Sequence, residues 1–514
     1  MTTSPSPAPS PSGSPSGSPG ARSDVRELAR SGSITFAGGI GGAVCTFLLL
    51  VVLARVVGST STGLFFQAVA AVSTCAIAAA WGAGTTLTPR AARLLAHDRA
   101  DLGELAWASI APVLVVAVAM AALIEALHGP LAAAMTGSAA DRHDLGLTLV
   151  ATAPAIPLIV LTRLLTALAR GVGAIGPTAL YDAGGQPLLR LALCWLVAAA
   201  GGALWAIGLA FTAAAGVSVV GAAWHTLRSV RGVGAGLRRP DAWPRAEARA
   251  FWGYSLPRGL EELFQATNIW LLVVLVGALA SPAEAATYSA VSRFTLASTL
   301  LMQAITTGMA TRLTTALARA EHDRVRTLFQ SSVTWTVGLS IPVAVTMWVF
   351  PSALIELVSP QLPGADLGLR VMALATLANV VTGPSGAVIL FAGRSSWNLW
   401  IALPAVALML TVAVLAVPAH GADGASYAWA AAIGLQSILG YVVTRRAFGL
   451  DPFTLPTLRL GGWSALLTLP AEVVAQLILG DRVMGLVVGV AAGAALYLGG
   501  NALTSWRMWV RVPV

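Results

Sequence analysis

The stretch Ser255–Leu279, SLPRGLEELFQATNIWLLVVLVGAL, decides how the rest of the chain is read. As an α-helix it is long enough to cross a hydrocarbon core about 30 Å thick. Its first half nevertheless carries Arg258, Glu261, Glu262, Gln265 and Asn268. At about 100° per residue these five fall within a stripe roughly 120° wide. Charge facing lipid is costly, so a one-sided row of this kind turns toward protein or a water-filled space. Two readings follow. Arg258 and Glu262, at i and i+4, form a buried pair that locks two helices, or the whole face lines a path for a polar substrate.

Working outward, the 514 residues are 56% hydrophobic and only 10% charged. Soluble domains carry about 25% charged residues, so the composition is that of an all-α integral membrane protein. The formal charge is +9, and every basic residue is Arg. These Arg sit mostly in short loops between apolar runs, a topological pattern rather than a nucleic-acid patch, and no nucleic-acid partner is expected. Cys45, Cys75 and Cys194 all lie in apolar segments without metal-ligand spacing and read as small buried hydrophobes.

Residues 1–30 begin MTTSPSPAPSPSGSPSGSPG and read as a disordered tail, Pro/Ser/Gly-rich and cytoplasmic. Windows of about 20 residues then give fourteen transmembrane helices. Six lie near 34–55, 64–88, 104–128, 145–169, 178–199 and 203–225. Six more lie near 255–279, 286–311, 329–357, 367–392, 398–417 and 424–444, with a final pair near 460–479 and 483–504. The domains are a six-helix lobe over 31–227, a basic connector over 228–250, a second six-helix lobe over 251–450, and an extra pair with a basic C-terminus over 451–514. Of the 31 Arg, Arg55, Arg142 and Arg482 fall opposite the N-terminus, while Arg190, Arg258, Arg293 and Arg370 lie at membrane depth. The remainder fall on the N-terminal side, so the positive-inside rule places both termini in the cytoplasm. Trp506 and Trp509, beside Arg507 and Arg511, read as an interfacial anchor.

The two lobes echo each other. His97-Asp98-Arg99 matches His322-Asp323-Arg324 at an offset of 225 residues, and Pro112-Val113 has a counterpart in Pro342-Val343. An even number of helices separates the copies, so a pseudo-two-fold axis along the membrane normal relates them, with the path between the halves.

At this point the chain resembles the multidrug/oligosaccharidyl-lipid/polysaccharide flippase superfamily, over about residues 30 to 450. The resemblance is carried by Ala54-Arg55-Val56-Val57-Gly58 with Gly63-Leu64-Phe65, by Tyr254-Ser255-Leu256-Pro257, and by Tyr288-Ser289-Ala290-Val291-Ser292-Arg293-Phe294. Phe391-Ala392-Gly393-Arg394 and His420-Gly421-Ala422-Asp423-Gly424-Ala425 complete it. It implies two lobes around a cavity that opens alternately to each side of a bacterial cytoplasmic membrane. It further implies a cargo of undecaprenyl-diphosphate type, a lipid-linked oligosaccharide or polysaccharide unit, with glycan-assembly enzymes as partners. Fourteen helices suit that branch better than the cation-coupled multidrug exporters, which are the alternative. A polytopic glycan polymerase or ligase would need larger external loops.

A diphosphate calls for cationic donors in a wet cavity, and the planar fork of Arg suits it. Arg190 lies near the midplane, on one face with Gln186 and Asp182; a salt bridge to Asp182 is its alternative role. Arg293 either lines the path or snorkels to the far interface. With Arg258 they are the expected binding residues, joined by Glu261, Glu262, Gln265 and Asn268. Glu261 and Glu262 are also candidates for coupling to Na⁺ or H⁺. Gly38-Gly39 and Gly41-Gly42 permit close helix approach. There is no phosphate-cradling Gly-Lys-Ser/Thr loop and no zinc-ligand cluster, so neither catalysis nor a metal or cofactor is expected. Glu472 is isolated in an apolar helix.

Overall fold

The computed structural model describes residues 19–96, 102–266, 270–319, 321–382, 384–392 and 395–500. His97-Asp98-Arg99, the first eighteen residues and the Trp506–Trp509 segment lie outside them. Fourteen helical crossings follow in order. In the first lobe α1 is Pro19–Val56, and α2 is Ser59–Ala80 continued past Trp81 and Gly82 by Ala83–Ala96. α3 is Gly103–Ala126, and α4 is Ala139–Thr152 continued past Pro154 by Ala155–Gly171. α5 comprises Gly176–Thr178, a π-helical turn Ala179–Ala183, and Gly185–Ala199; α6 is Leu204–Gly232.

In the second lobe α7 is Arg245–Ala266 continued by Leu272–Leu279, α8 is Pro282–Ala318 and α9 is His322–Val349. α10 is Asp366–Thr382 continued by Pro384–Phe391. Residues 395–420 and 422–448 form α11 and α12, which meet at Gly421. The backbone there has φ 51°, a conformation that side chains with a Cβ rarely adopt. α13 is Leu455–Leu479 and α14 is Val483–Gly500. Among the described residues nine stretches are long and apolar enough to span by composition alone, and one of them, Ser396–Phe448, holds both α11 and α12. The crossings left out are α5, which the π-helical turn interrupts, and α7, α8 and α10.

The repeat is visible in the breaks. Short helices His128–Met135 and Pro351–Val358 follow α3 and α9 at matching places in the two copies. In α4 the helix breaks beside Pro154, where a proline removes one rung of the helical ladder. Against the sequence reading, α1 starts at Pro19 rather than after residue 30, and α7 starts at Arg245 rather than Ser255. The connector narrows to residues 233–244, where Gly236 accepts a backbone hydrogen bond from Leu102. The expected helix over 329–357 is two helices, because Phe350 leaves helical geometry (φ −117°, ψ 52°) ahead of Pro351.

Small residues let helices approach closely in a bilayer, where apolar burial alone favours nothing. Of the α1 glycines, Gly38 and Gly42 do this work. A Cβ at Gly42 would run into the Ala183 carbonyl of the π-helical turn, whereas Gly39 and Gly41 face open space. The added pair α13–α14 packs on α9 through polar contacts. Thr334 and Thr457 share a hydroxyl hydrogen bond of 2.9 Å, Tyr497 donates to the Gly338 carbonyl at 3.0 Å, and Gln476 donates to that of Val349 at 2.6 Å.

Candidate functional site

A cavity of about 800 Å³ lies between the lobes, lined from the first by α1, α2, α4, α5 and α6 and from the second by α7, α8 and α9, with Val490 of α14. Most of its wall is aromatic and aliphatic, including Phe47, Phe66 and Met347. Into this wall project Arg163, Asp182, Gln186, Arg190 and Arg293. The π-helical turn at Ala179–Ala183 adds a residue to the winding of α5 and carries Asp182 on it. Such bulges recur where a side chain is re-aimed at a functional site.

Four of the expected site residues therefore meet. Arg190 stacks over the Phe211 ring at 4.2 Å, and Arg293 lies over Trp270 at 5.3 Å. These ring contacts favour a cation but leave N–H donors unused. The Nε and Nη2 of Arg190, the Nε of Arg293 and the Nε2 of Gln186 are buried without a hydrogen-bond partner among the described residues. Arg293 does not snorkel: it lies eleven residues beyond Pro282, about 16 Å along the helix axis. Asp182 is not the partner of Arg190. It lies 3.9 Å from the Nε of Arg163, with side-chain exposures of 28% and 45%, a loose and wet pair. Arg163 was not expected here, since alternating the loops assigns it to the N-terminal side. The cavity thus sets three guanidinium groups against one carboxylate.

Two members of the α7 stripe, Arg258 and Glu262, go elsewhere. Arg258 donates to the Tyr254 hydroxyl at 2.8 Å on its own helix, and Glu262 accepts from Thr85 at 3.0 Å. Neither lines the cavity, and they form no ion pair with each other. The reason is the junction with α2. Trp81 turns into the left-handed region (φ 40°) and presses on Gly259, while Ser255 donates to the Trp81 carbonyl at 2.9 Å. Positions 255, 259 and 262 share a face, so that face is spent on α2. Glu247 extends the seam with an ion pair to Arg90 at 2.8 Å. The side chains of Glu261 and Gln265, and Asn268 altogether, lie outside the described residues.

On the side opposite the N-terminus, called here the far side, the lobes are tied by Arg55 at the end of α1. Its Nε and Nη2 donate to the carbonyls of Val358 (3.0 Å) and Leu357 (2.6 Å). Those carbonyls end the short helix Pro351–Val358, where backbone acceptors lack partners and the helix dipole is negative. The other end of that helix is capped by Asp481, which accepts from the backbone N–H of Ser352 (3.1 Å) and Ala353 (2.9 Å). Among the described residues no group of three or more His, Cys, Asp or Glu could hold a metal ion.

Comparison with known proteins agrees with this architecture. The family model described as polysaccharide biosynthesis protein matches residues 28–311, and the model MatE matches residues 257–417. Among curated proteins, none matches the chain. Among solved structures, a lipid II flippase MurJ in an inward closed conformation superposes with TM-score 0.71 at 13% identity, over 93% of this chain and 99% of that one. An inward-facing multidrug resistance MATE family transporter of the same superfamily gives 0.61 at 14% identity, over 82% and 94%. A superfamily transporter from Pyrococcus furiosus, described by a reverse polarity of its binding pocket, gives 0.57 at 14% identity, over 83% and 95%. At these identities the structures speak for the fold, and the sequence model, which spans more than half of the chain, speaks for descent. The chain belongs to the polysaccharide biosynthesis protein family, and through it to the multidrug/oligosaccharidyl-lipid/polysaccharide superfamily of membrane transporters and flippases.

Proposed function

We propose that this protein carries a lipid-linked oligosaccharide or polysaccharide unit, on an undecaprenyl-diphosphate type of carrier, across a bacterial cytoplasmic membrane by alternating access. One observation carries the reading: Arg163, Arg190 and Arg293 line a single cavity, and Arg190 and Arg293 keep buried donors without partners there. A diphosphate has acceptor oxygens for each of those donors. In a low-dielectric setting they gain more from an anion than they would in water. A cationic drug in the same place would meet positive charge in excess, which disfavours the multidrug alternative. The volume of about 800 Å³ suits a headgroup, within the usual range of small-molecule sites, and leaves no room for a long polyprenyl chain as well. Ile40 and Val44 of α1 line the cavity and are 41% and 50% exposed. We place the tail in the bilayer beside them. Both termini then lie in the cytoplasm, and glycan-assembly enzymes on that side supply the cargo.

The test is binding of undecaprenyl diphosphate to the purified protein, with transport of the linked unit as a second readout. Each of Arg163→Gln, Arg190→Gln and Arg293→Gln should weaken binding by about 10- to 100-fold, from bonds worth about 1.5–3 kcal/mol each. Arg258→Gln should leave it unchanged. Wild-type affinity in all three cavity variants would overturn the assignment.

A further inference from the structure

Glu472 sits in α13, 2% exposed, seven residues short of Leu479 and so about 10 Å from the far end of its helix. Its Oε1 lies 2.9 Å from Thr346 Oγ1 on α9, and its Oε2 is buried with no hydrogen-bond partner. Among the described residues no cationic side chain pairs with it. Arg459 is thirteen residues earlier on α13, about 20 Å away along the axis. Asp481 and Arg482 occupy the far-side turn, and Asp481 is engaged by Ser352 and Ala353. On α9 the charged groups His322, Asp323, Arg324 and Arg326 all lie in the first turns, and Arg370 of α10 donates to the Trp348 carbonyl. On α14 the residue facing the carboxylate is Gly493, and Tyr497 is bonded to Gly338.

A count of hydrogens adds a second, independent observation. Thr346 Oγ1 lies 3.0 Å from the Pro342 carbonyl and 2.9 Å from Glu472 Oε1. A hydroxyl has one hydrogen and cannot fully serve two acceptors. With a proton on Oε1, the carboxyl O–H donates to Thr346, and Thr346 donates to Pro342. An ionised carboxylate would instead have to share the single Thr346 hydrogen with the Pro342 carbonyl, with its charge unpaired in hydrocarbon.

Thr346 itself lines the cavity between the lobes. We propose that Glu472 is a proton-binding site, loaded while the far side is closed, and that Thr346 links it to the transport path. When the lobes part, the cavity joins bulk water at Thr346, one hydrogen bond from the carboxyl group. The O–H bond then breaks, the proton passes to that water, and a carboxylate remains. Reloading before the far side can shut again couples each cycle to one proton. The site rests on the cavity as the path and not on the identity of the cargo.

The test uses the full-length protein in lipid nanodiscs, without substrate, and infrared difference spectroscopy at neutral pH. The wild type minus Glu472→Gln difference should contain the carbonyl stretch of one protonated carboxyl per chain. Thr346→Val should shift that band to higher frequency, because its hydrogen bond is lost, while leaving its area unchanged. A wild-type spectrum lacking the band, or a band that Thr346→Val leaves in place, overturns the proposal. Because no cargo is present, this result is independent of the undecaprenyl-diphosphate reading.

Discussion

Replacing Arg55 with Gln should open the far side. Two guanidinium-to-carbonyl bonds, at 3.0 and 2.6 Å, join α1 of the first lobe to the end of the short helix in the second. Hydrogen bonds to charged groups contribute about 1.5–3 kcal/mol each when buried, but Arg55 is exposed, and water replaces much of what is lost. A net loss of about 1–2 kcal/mol is therefore expected, which moves the closed-to-open ratio about 5- to 30-fold. The neighbouring contact of Ser359 with the Ala54 carbonyl, long at 3.4 Å, cannot offset it. The assay is electron–electron spin distance measurement on a protein cleared of Cys45, Cys75 and Cys194. Spin labels go at Ser138 and Gln361, exposed far-side positions on opposite lobes. Arg55→Gln should add a longer-distance population that the parent lacks, and Arg55→Lys, which keeps the charge but not the fork, should fall between them. An Arg55→Gln distribution superimposable on the parent's would refute the latch.

Other outcomes follow from close contacts described above. Gly42→Val should destabilise the fold by about 1–3 kcal/mol, because its Cβ meets the Ala183 carbonyl, whereas Gly41→Val should be near neutral. Thermal unfolding in detergent separates the two, and equal melting temperatures would contradict the packing of α1 on α5. Asp481→Ala should cost about 1–2 kcal/mol by uncapping Ser352 and Ala353, with Asp481→Asn intermediate. The same melting experiment reads it, and a wild-type value for Asp481→Ala would show that the cap carries no stability.

Much of the architecture was legible because a bilayer sets helix length, so windows of about 20 residues located the crossings whatever their partners. Arg190, Gln186, Asp182 and Arg293 were legible for the same reason, as polar groups too deep to reach water unaided. Arg163 was missed although its depth was readable: it lies eight residues before Gly171, about 12 Å inside the end of α4. That Arg258 and Glu262 of the α7 stripe turn away from the cavity was not legible, because periodicity tells how narrow a polar face is and not what it meets. The deciding contact, Trp81 in a left-handed turn against Gly259, is made between residues 178 positions apart and leaves no local signature. The short helices were invisible because eight residues fall well below any membrane-length window.

Pro351–Val358 is gripped at one tip by an acid from the final hairpin and at the other by a base from the opening helix. It works as a crossbar bolted to both leaves of a door. A disturbance of α13–α14, whether from a bound lipid or an altered bilayer thickness, would tug the bar and change how firmly the far mouth shuts. On that account the last hairpin sets the tension of the machine, and a shortened relative without it would need another bolt in the place of Asp481.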